Sequence, residues 1–177
     1  MANYRVTKYD PALRLSNGTY SKLEWTSVSD IGRTYDGRIF DWAEYVRVED
    51  RYVETVLLFL ESSAVRSLRV VDLQRHNYRS ETLPTSPSGA AIAQLALLSD
   101  GIEVAGPDLV WVIRLALREV IWCRLEGSNG VYVHFGYDYY MYLGSEETDV
   151  ALPPSLPPGM FAEVFGSPYH EEKLERS

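Results

Sequence analysis

The alternation of apolar and polar positions is most regular between Glu119 and Ser145, EVIWCRLEGSNGVYVHFGYDYYMYLGS. Two alternating runs flank Gly127-Ser128-Asn129-Gly130, a turn signature that predicts a long β-hairpin over about residues 119–145. In the first run Ile121, Cys123 and Leu125 share one side, and Trp122, Arg124 and Glu126 share the other. The second run keeps its period over thirteen residues. Val131, Val133, Phe135, Tyr137, Tyr139, Met141 and Leu143 alternate there with Tyr132, His134, Gly136, Asp138, Tyr140 and Tyr142. Successive strand side chains face opposite sides of a sheet, so the pattern predicts one core-like face and one polar, aromatic face.

The rest of the chain supplies elements to pack against that hairpin. Tyr4 to Tyr9 alternates and predicts a first strand, ended by Asp10-Pro11; Ser16-Asn17-Gly18 reads as a turn. Glu24 to Gly32 predicts a short strand and a tight turn, and Asp36-Gly37 another turn. Helical spacing begins at Asp41, an N-cap with Glu44 three residues on and Phe40 placed as a hydrophobic staple. Its inward stripe reads Trp42, Val46, Val53, Val56, Leu57 and Leu60, with Glu49 as the one polar intruder and Ser62-Ser63 as the end. Ser67 to Leu73 predicts a strand, Gln74 to Gly89 a loop with Pro84 and Pro87, and Ala90 to Leu98 a short helix. Gly106-Pro107-Asp108 opens an apolar helix with proline where its missing N–H costs nothing. Prolines at 153, 154, 157 and 158 predict a connector over about 150–159 to a short segment from Met160 to Phe165, with 170–177 fraying. This order predicts an α+β fold in a single domain over 1–177. Its sheet is mixed but mainly antiparallel, with helices packed on one face.

Length and charge narrow the functions. A chain of 177 residues buries roughly 70% of its unfolded surface as one domain. The formal net charge of −8, with no run of basic residues, argues against nucleic-acid binding, which needs clustered cations for the phosphates. It suits a basic partner instead. Seven acids (Glu146, Glu147, Asp149, Glu163, Glu171, Glu172 and Glu175) oppose Lys173 and Arg176, so about five of the eight excess charges lie in the last fifth of the chain. Thirteen tyrosines, five phenylalanines and four tryptophans suit recognition as well as a core. The single cysteine, Cys123, lies on the apolar hairpin face, where it reads as a buried inert thiol in a reducing cytoplasm. The first residues resemble no secretory leader, and the apolar stretch from Leu109 to Cys123 is broken by Arg114, Arg118 and Glu119, so no membrane association is expected.

Catalytic signatures are sparse. His76, His134 and His170 are isolated, which predicts no metal site, and no phosphate-binding glycine loop, nucleophile elbow or other cofactor motif is present. The sharpest grouping is His134 with Arg124, Asp138 and Tyr140 as a small nuclease-like acid/base site. His134 and Asp138 are, however, roughly 13 Å apart along an extended strand. The polar cluster from Glu24 to Asp30 reads mainly as serine and aspartate satisfying backbone donors around a turn.

Three stretches together resemble a known family. They are Val6-Thr7-Lys8-Tyr9-Asp10-Pro11 with Arg14, Trp25-Thr26-Ser27-Val28-Ser29-Asp30-Ile31-Gly32, and His134-Phe135-Gly136-Tyr137-Asp138-Tyr139-Tyr140-Met141-Tyr142. Over most of residues 4–145 the chain resembles a largely uncharacterised family of small, acidic bacterial cytoplasmic proteins, similar in character to toxin-immunity proteins. The resemblance carries over no catalytic residue. The expectation is a non-enzymatic protein that neutralises a basic, nuclease-type toxin by contact. Trp122, Arg124, Tyr132, His134, Asp138, Tyr140 and Tyr142 are its partner-binding face. The alternatives are a small hydrolase or nuclease-like enzyme using His134, Arg124 and Asp138, and a homo-oligomeric structural protein.

Overall fold

The computed structural model describes residues 3–76, 89–146 and 151–173. Its strands are β1 (Tyr4–Thr7), β2 (Thr34–Tyr35), β3 (Arg38–Ile39), β4 (Ser67–Arg75), β5 (Glu103–Ala105), β6 (Ile121–Glu126), β7 (Val131–Phe135), β8 (Met141–Ser145) and β9 (Phe161–Val164). Its helices are α1 (Trp42–Ser62), α2 (Gly89–Leu97) and α3 (Gly106–Leu117). Seven strands form one sheet in the order β5-β4-β6-β7-β8-β1-β9, and every pairing in it is antiparallel. β2 and β3 form a small hairpin that turns on Asp36-Gly37, both at positive φ. The fold is α+β. Among the described residues no helix is long and apolar enough to cross a membrane.

The predicted hairpin is present as β6–β7, with Leu125 opposite Val133 and Asn129 in the left-handed region of its turn. The thirteen-residue second run is not one strand, however. It reverses at Gly136–Tyr140 and returns as β8, pairing Phe135 with Met141 and Val133 with Leu143. Residues opposite each other in a hairpin share a face, and each of these pairs differs by an even number. The alternation therefore continues through the reversal unbroken, which is why periodicity alone does not reveal it.

α1 begins as predicted, with Asp41 Oδ1 accepting from the Glu44 backbone N–H at 2.9 Å. Its buried stripe is shifted from the expected one. Tyr45, Glu49, Tyr52, Val53, Val56, Phe59 and Leu60 face inward, whereas Trp42 and Leu57 are exposed. Those inward positions follow the i, i+4, i+7, i+8 rhythm more closely, so Tyr45, Tyr52 and Phe59 take the places expected for Trp42 and Leu57. They meet Leu109, Val112 and Ile113 of α3 and the apolar face of the sheet, including Val70, Leu125, Val133, Phe135, Met141 and Leu143. Cys123 is fully buried in this core, and burial pushes its thiol up to about 12.

Glu49 is explained by α3. Its carboxylate accepts from Arg118 Nε at 2.6 Å and Nη2 at 2.7 Å, and it also pairs with Arg114, which reaches on to Asp50 at 2.6 Å. The fully buried anion thus ties α1 to the last turn of α3.

Several smaller expectations are corrected. Glu24–Gly32 holds no strand but a short helical turn, Val28–Asp30, capped by Ser27. β5 carried too few residues to register as a period. Met160–Phe165 contains β9, which pairs with β1 at the opposite end of the chain. Residues 168–173 form a helical turn, and the remainder of the stretch expected to fray, 174–177, lies outside the described residues. Of the loop expected over residues 74–89, Gln74 and Arg75 belong to β4 and Gly89 to α2, while Pro84 and Pro87, like Glu147, Asp149, Glu175 and Arg176 of the acidic stretch, lie outside the described residues.

β9 is also held by charge. Arg14 reaches Glu163 through two bonds of 2.7 and 2.6 Å, and Arg5 through one of 2.9 Å. The bonds from Arg14, supported by Arg5, hold the Glu163 carboxyl at about 2, below its ordinary 4.5.

Two outcomes are expected from these ties. Glu49→Gln leaves two guanidiniums facing a neutral group and lowers the unfolding free energy by about 3 kcal/mol in urea titration; a loss below about 1 kcal/mol contradicts the clamp. For Glu163 the folded pKa lies below the unfolded one, so its stabilisation is complete above 4.5 and fades as pH falls toward 2. Thermal melts across that window should fall less steeply for Glu163→Gln than for the wild type.

Candidate functional site

The polar hairpin face is one row across the sheet. Glu163 (β9), Arg5 (β1), Tyr142 (β8), His134 (β7) and Arg124 (β6) are successive cross-strand partners. The helices pack on the other side, but the segment after β9 runs back over this one. Ser167 Oγ lies 2.8 Å from His134 Nδ1, and Tyr169 O accepts from Arg124 Nη1 at 3.4 Å. The His170 ring stands edge-on to Tyr132 at 4.2 Å, and its Nδ1 is 2.7 Å from Glu146. The Phe165 ring lies tilted 6.2 Å from that of Tyr142, and the Tyr169 ring stands edge-on to it at 6.0 Å.

The expectation of an open aromatic face is corrected accordingly. Arg124, Tyr132, His134 and Tyr142 are buried, and Trp122 is half-buried with its ring 5.4 Å from Tyr169. The chain's own Ser167, Tyr169 and His170 lie against the face that a partner was expected to cover. Nor are His134, Arg124 and Asp138 gathered around a cavity. His134 is fully buried beside Ser167, Arg124 is bonded to Asp72 at 2.7 Å, and Asp138 lies in the exposed β7–β8 turn. Among the described residues no group of three or more His, Cys, Asp or Glu side chains is placed to hold a metal ion.

Three of the seven expected residues meet elsewhere. Trp122, Asp138 and Tyr140 line a groove of about 190 Å³ at the end of the sheet. Its floor is apolar, from Ala116, Leu117, Ile121, Phe135 and Tyr139. Trp122, Tyr137 and Tyr140 contribute rings, while Thr26, Ser27, His76, Glu119 and Asp138 supply polar atoms. The Trp-Thr-Ser string and the Phe-Gly-Tyr-Asp-Tyr-Tyr string, far apart in sequence, thus converge on one cavity. No lysine or arginine is among the described residues that line it.

Unusual backbone builds this groove. α3 ends with Val120 N–H donating to Leu115 O and Glu119 N–H to Ala116 O, both at 3.0 Å, with Glu119 at φ 57°. This is the Schellman closure, in which the left-handed position is normally glycine. At the β7–β8 reversal, Tyr140 N–H donates to Tyr137 O at 3.1 Å, while Asp138 and Tyr139 have φ of 55° and 61°. That is a type I′ turn with a tyrosine where glycine is usual. Both groove carboxylates therefore stand on left-handed residues, a geometry that sequence spacing alone does not announce.

Burial holds Tyr139 in place. Its ring packs edge-on against Trp25 at 4.9 Å, Tyr52 at 5.3 Å and Tyr45 at 6.1 Å. The Tyr52 hydroxyl donates to Tyr139 O at 2.6 Å and accepts from the Lys8 backbone N–H at 2.9 Å. One phenol in the core thus fixes both the end of β1 and the turn that presents Asp138.

A larger cavity of about 340 Å³ lies nearby, bordered by Lys22, Glu24, Trp25, Asp36, Arg38 and Glu44 among others. Its central charges are already matched. Glu24 pairs with Lys22 at 2.9 Å and with Lys8 at 3.2 Å, and the Lys8 amine lies over the Tyr9 and Trp25 rings at 4.1 and 4.2 Å. Burial draws that amine down to about 8. The smaller groove, with an apolar floor and carboxylates lacking such partners among its lining residues, is the better candidate site.

Tyr52→Phe is expected to lower stability by about 2 kcal/mol, since the hydroxyl makes two hydrogen bonds at a typical net value of about 1 kcal/mol each. It should also accelerate amide exchange at Tyr140 more than in β6, read by hydrogen-exchange NMR; uniform acceleration contradicts a local hold on the turn. In comparisons with protein-family models, curated proteins and solved structures nothing matches the chain, so the groove is read from its geometry and chemistry alone.

Proposed function

We propose that this chain is a non-enzymatic protein-binding protein, a bacterial immunity protein of the cytoplasm that neutralises a basic, nuclease-type toxin by direct contact. The observation that carries the reading is the groove between Glu119, Asp138 and Trp122. It has an apolar floor, aromatic walls and two carboxylates, with no lysine or arginine among its described lining residues. A net charge of −8 adds long-range attraction for a cationic partner. Tyr137, 86% exposed beside Asp138, offers a ring with a hydrogen-bonding tip, the kind of residue that anchors interfaces. The covered polar face then acts as support for the docking edge rather than as the contact surface itself.

Affinity capture from the native host is expected to retain a basic protein that is toxic alone and harmless when co-expressed with this chain. Association should slow by roughly tenfold or more from low to moderate salt, as steering requires. A rate unaffected by salt contradicts the electrostatic part of the reading, and recovery of the chain alone contradicts the whole.

A further inference from the structure

The rest of the molecule shows how it accommodates cations. Three of its carboxylates pair with a cation that also lies over an aromatic ring. Glu24 holds Lys8 above Tyr9 and Trp25. Glu49 holds Arg118 with Trp42 and Tyr45 at 5.5 and 5.9 Å. Glu163 holds Arg5, which lies 4.4 Å from the Phe165 ring, and Arg14, which lies 5.2 Å from Tyr20. In each case ring face and carboxylate together replace the water that a cation loses.

The groove repeats two of these three components. Trp122 and Tyr137 supply rings, Asp138 and Glu119 supply carboxylates, and the described lining residues include no lysine or arginine. We infer that the groove receives one arginine side chain from the partner, stacked against Trp122 and Tyr137 and bonded to Asp138 and Glu119. This rests on the protein-binding reading and names the partner's anchoring group. Arginine fits better than lysine for three reasons. Its planar guanidinium stacks on rings, it is less strongly hydrated, and it presents several donors in fixed directions to two carboxylates. Its methylenes suit a floor of Ala116, Leu117 and Ile121. Trp122 is already oriented for this, since its indole N–H donates to Phe135 O at 2.9 Å and leaves the ring as a fixed wall.

The test uses the full chain and three small probes: N-acetyl-arginine methylamide, the citrulline analogue and the lysine analogue. NMR follows the Trp122 indole and the Tyr137–Tyr140 amides. The arginine probe is expected to give saturable shifts confined to these signals, with citrulline at least about tenfold weaker because it keeps the shape and loses the charge. Asp138→Asn with Glu119→Gln should weaken the arginine probe by a similar factor. Asparagine tolerates the left-handed region at least as well as aspartate, so the turn is retained, which the unperturbed core amides will report. Equal binding of citrulline, a preference for lysine, or no saturable shift overturns the inference. If a captured basic partner binds the double variant as tightly as the wild type, the arginine anchor falls and the protein-binding reading stands. If the arginine probe binds at the groove but no basic partner exists, the reading falls and the site chemistry stands.

Discussion

The fully buried carboxylate of Glu49 governs how the two long helices meet the sheet. A charge in that position is tolerated only with its partners in place, so α1 and α3 have one acceptable relative setting. That setting fixes where α3 stops, because Arg118 is both the ligand of Glu49 and the C-cap of the helix. The next residue is Glu119, turned outward in a left-handed conformation. An ion pair in the core thus determines where a carboxylate stands on the surface. Tyr45 reinforces the same corner by donating to Leu117 O at 3.1 Å.

The hairpin end of the groove follows a similar logic from another direction. Tyr139 occupies a backbone region that a tyrosine disfavours, and it remains there because its ring is enclosed by Trp25, Tyr45 and Tyr52. Trp25 in turn stacks on Phe40 at 4.4 Å, next to the N-cap of α1. The loop carrying Trp25, Thr26 and Ser27 is therefore built into the support of the β7–β8 turn. Its convergence with that turn at one cavity is a consequence of packing.

The fold was legible where a residue pattern has one physical cause. Asp41, Glu44 and a 3.6-residue period specify α1, and alternation with Asn129-Gly130 specifies β6–β7. The second reversal was hidden because a hairpin preserves parity. The groove was hidden because Glu119 and Asp138 take up positive φ without glycine to signal it. The closing of the polar face by Ser167, Tyr169 and His170 was also unreadable. Those residues form no periodic element, and their role depends on β9 joining β1. The strand pattern singled out Trp122, Asp138 and Tyr140, which line the groove, but for another face; His76 and Glu119 join them only through the three-dimensional meeting of the ends of β4 and α3.

The position of β1 between β8 and β9 bears on how the chain acquires its structure. Tyr4 pairs with Leu143 on one side and Val164 on the other, so during synthesis β1 waits for two strands that lie far along the chain from it. Until then its edges are open on both sides, the condition under which strands find wrong partners. Closure of the sheet is consequently a late, long-range event, and such events make folding slow and cooperative. The Lys8 backbone N–H, held by Tyr52 just beyond β1, belongs to the same closure. The turn that presents Asp138 should therefore become fully ordered only when β1 has taken its place between β8 and β9.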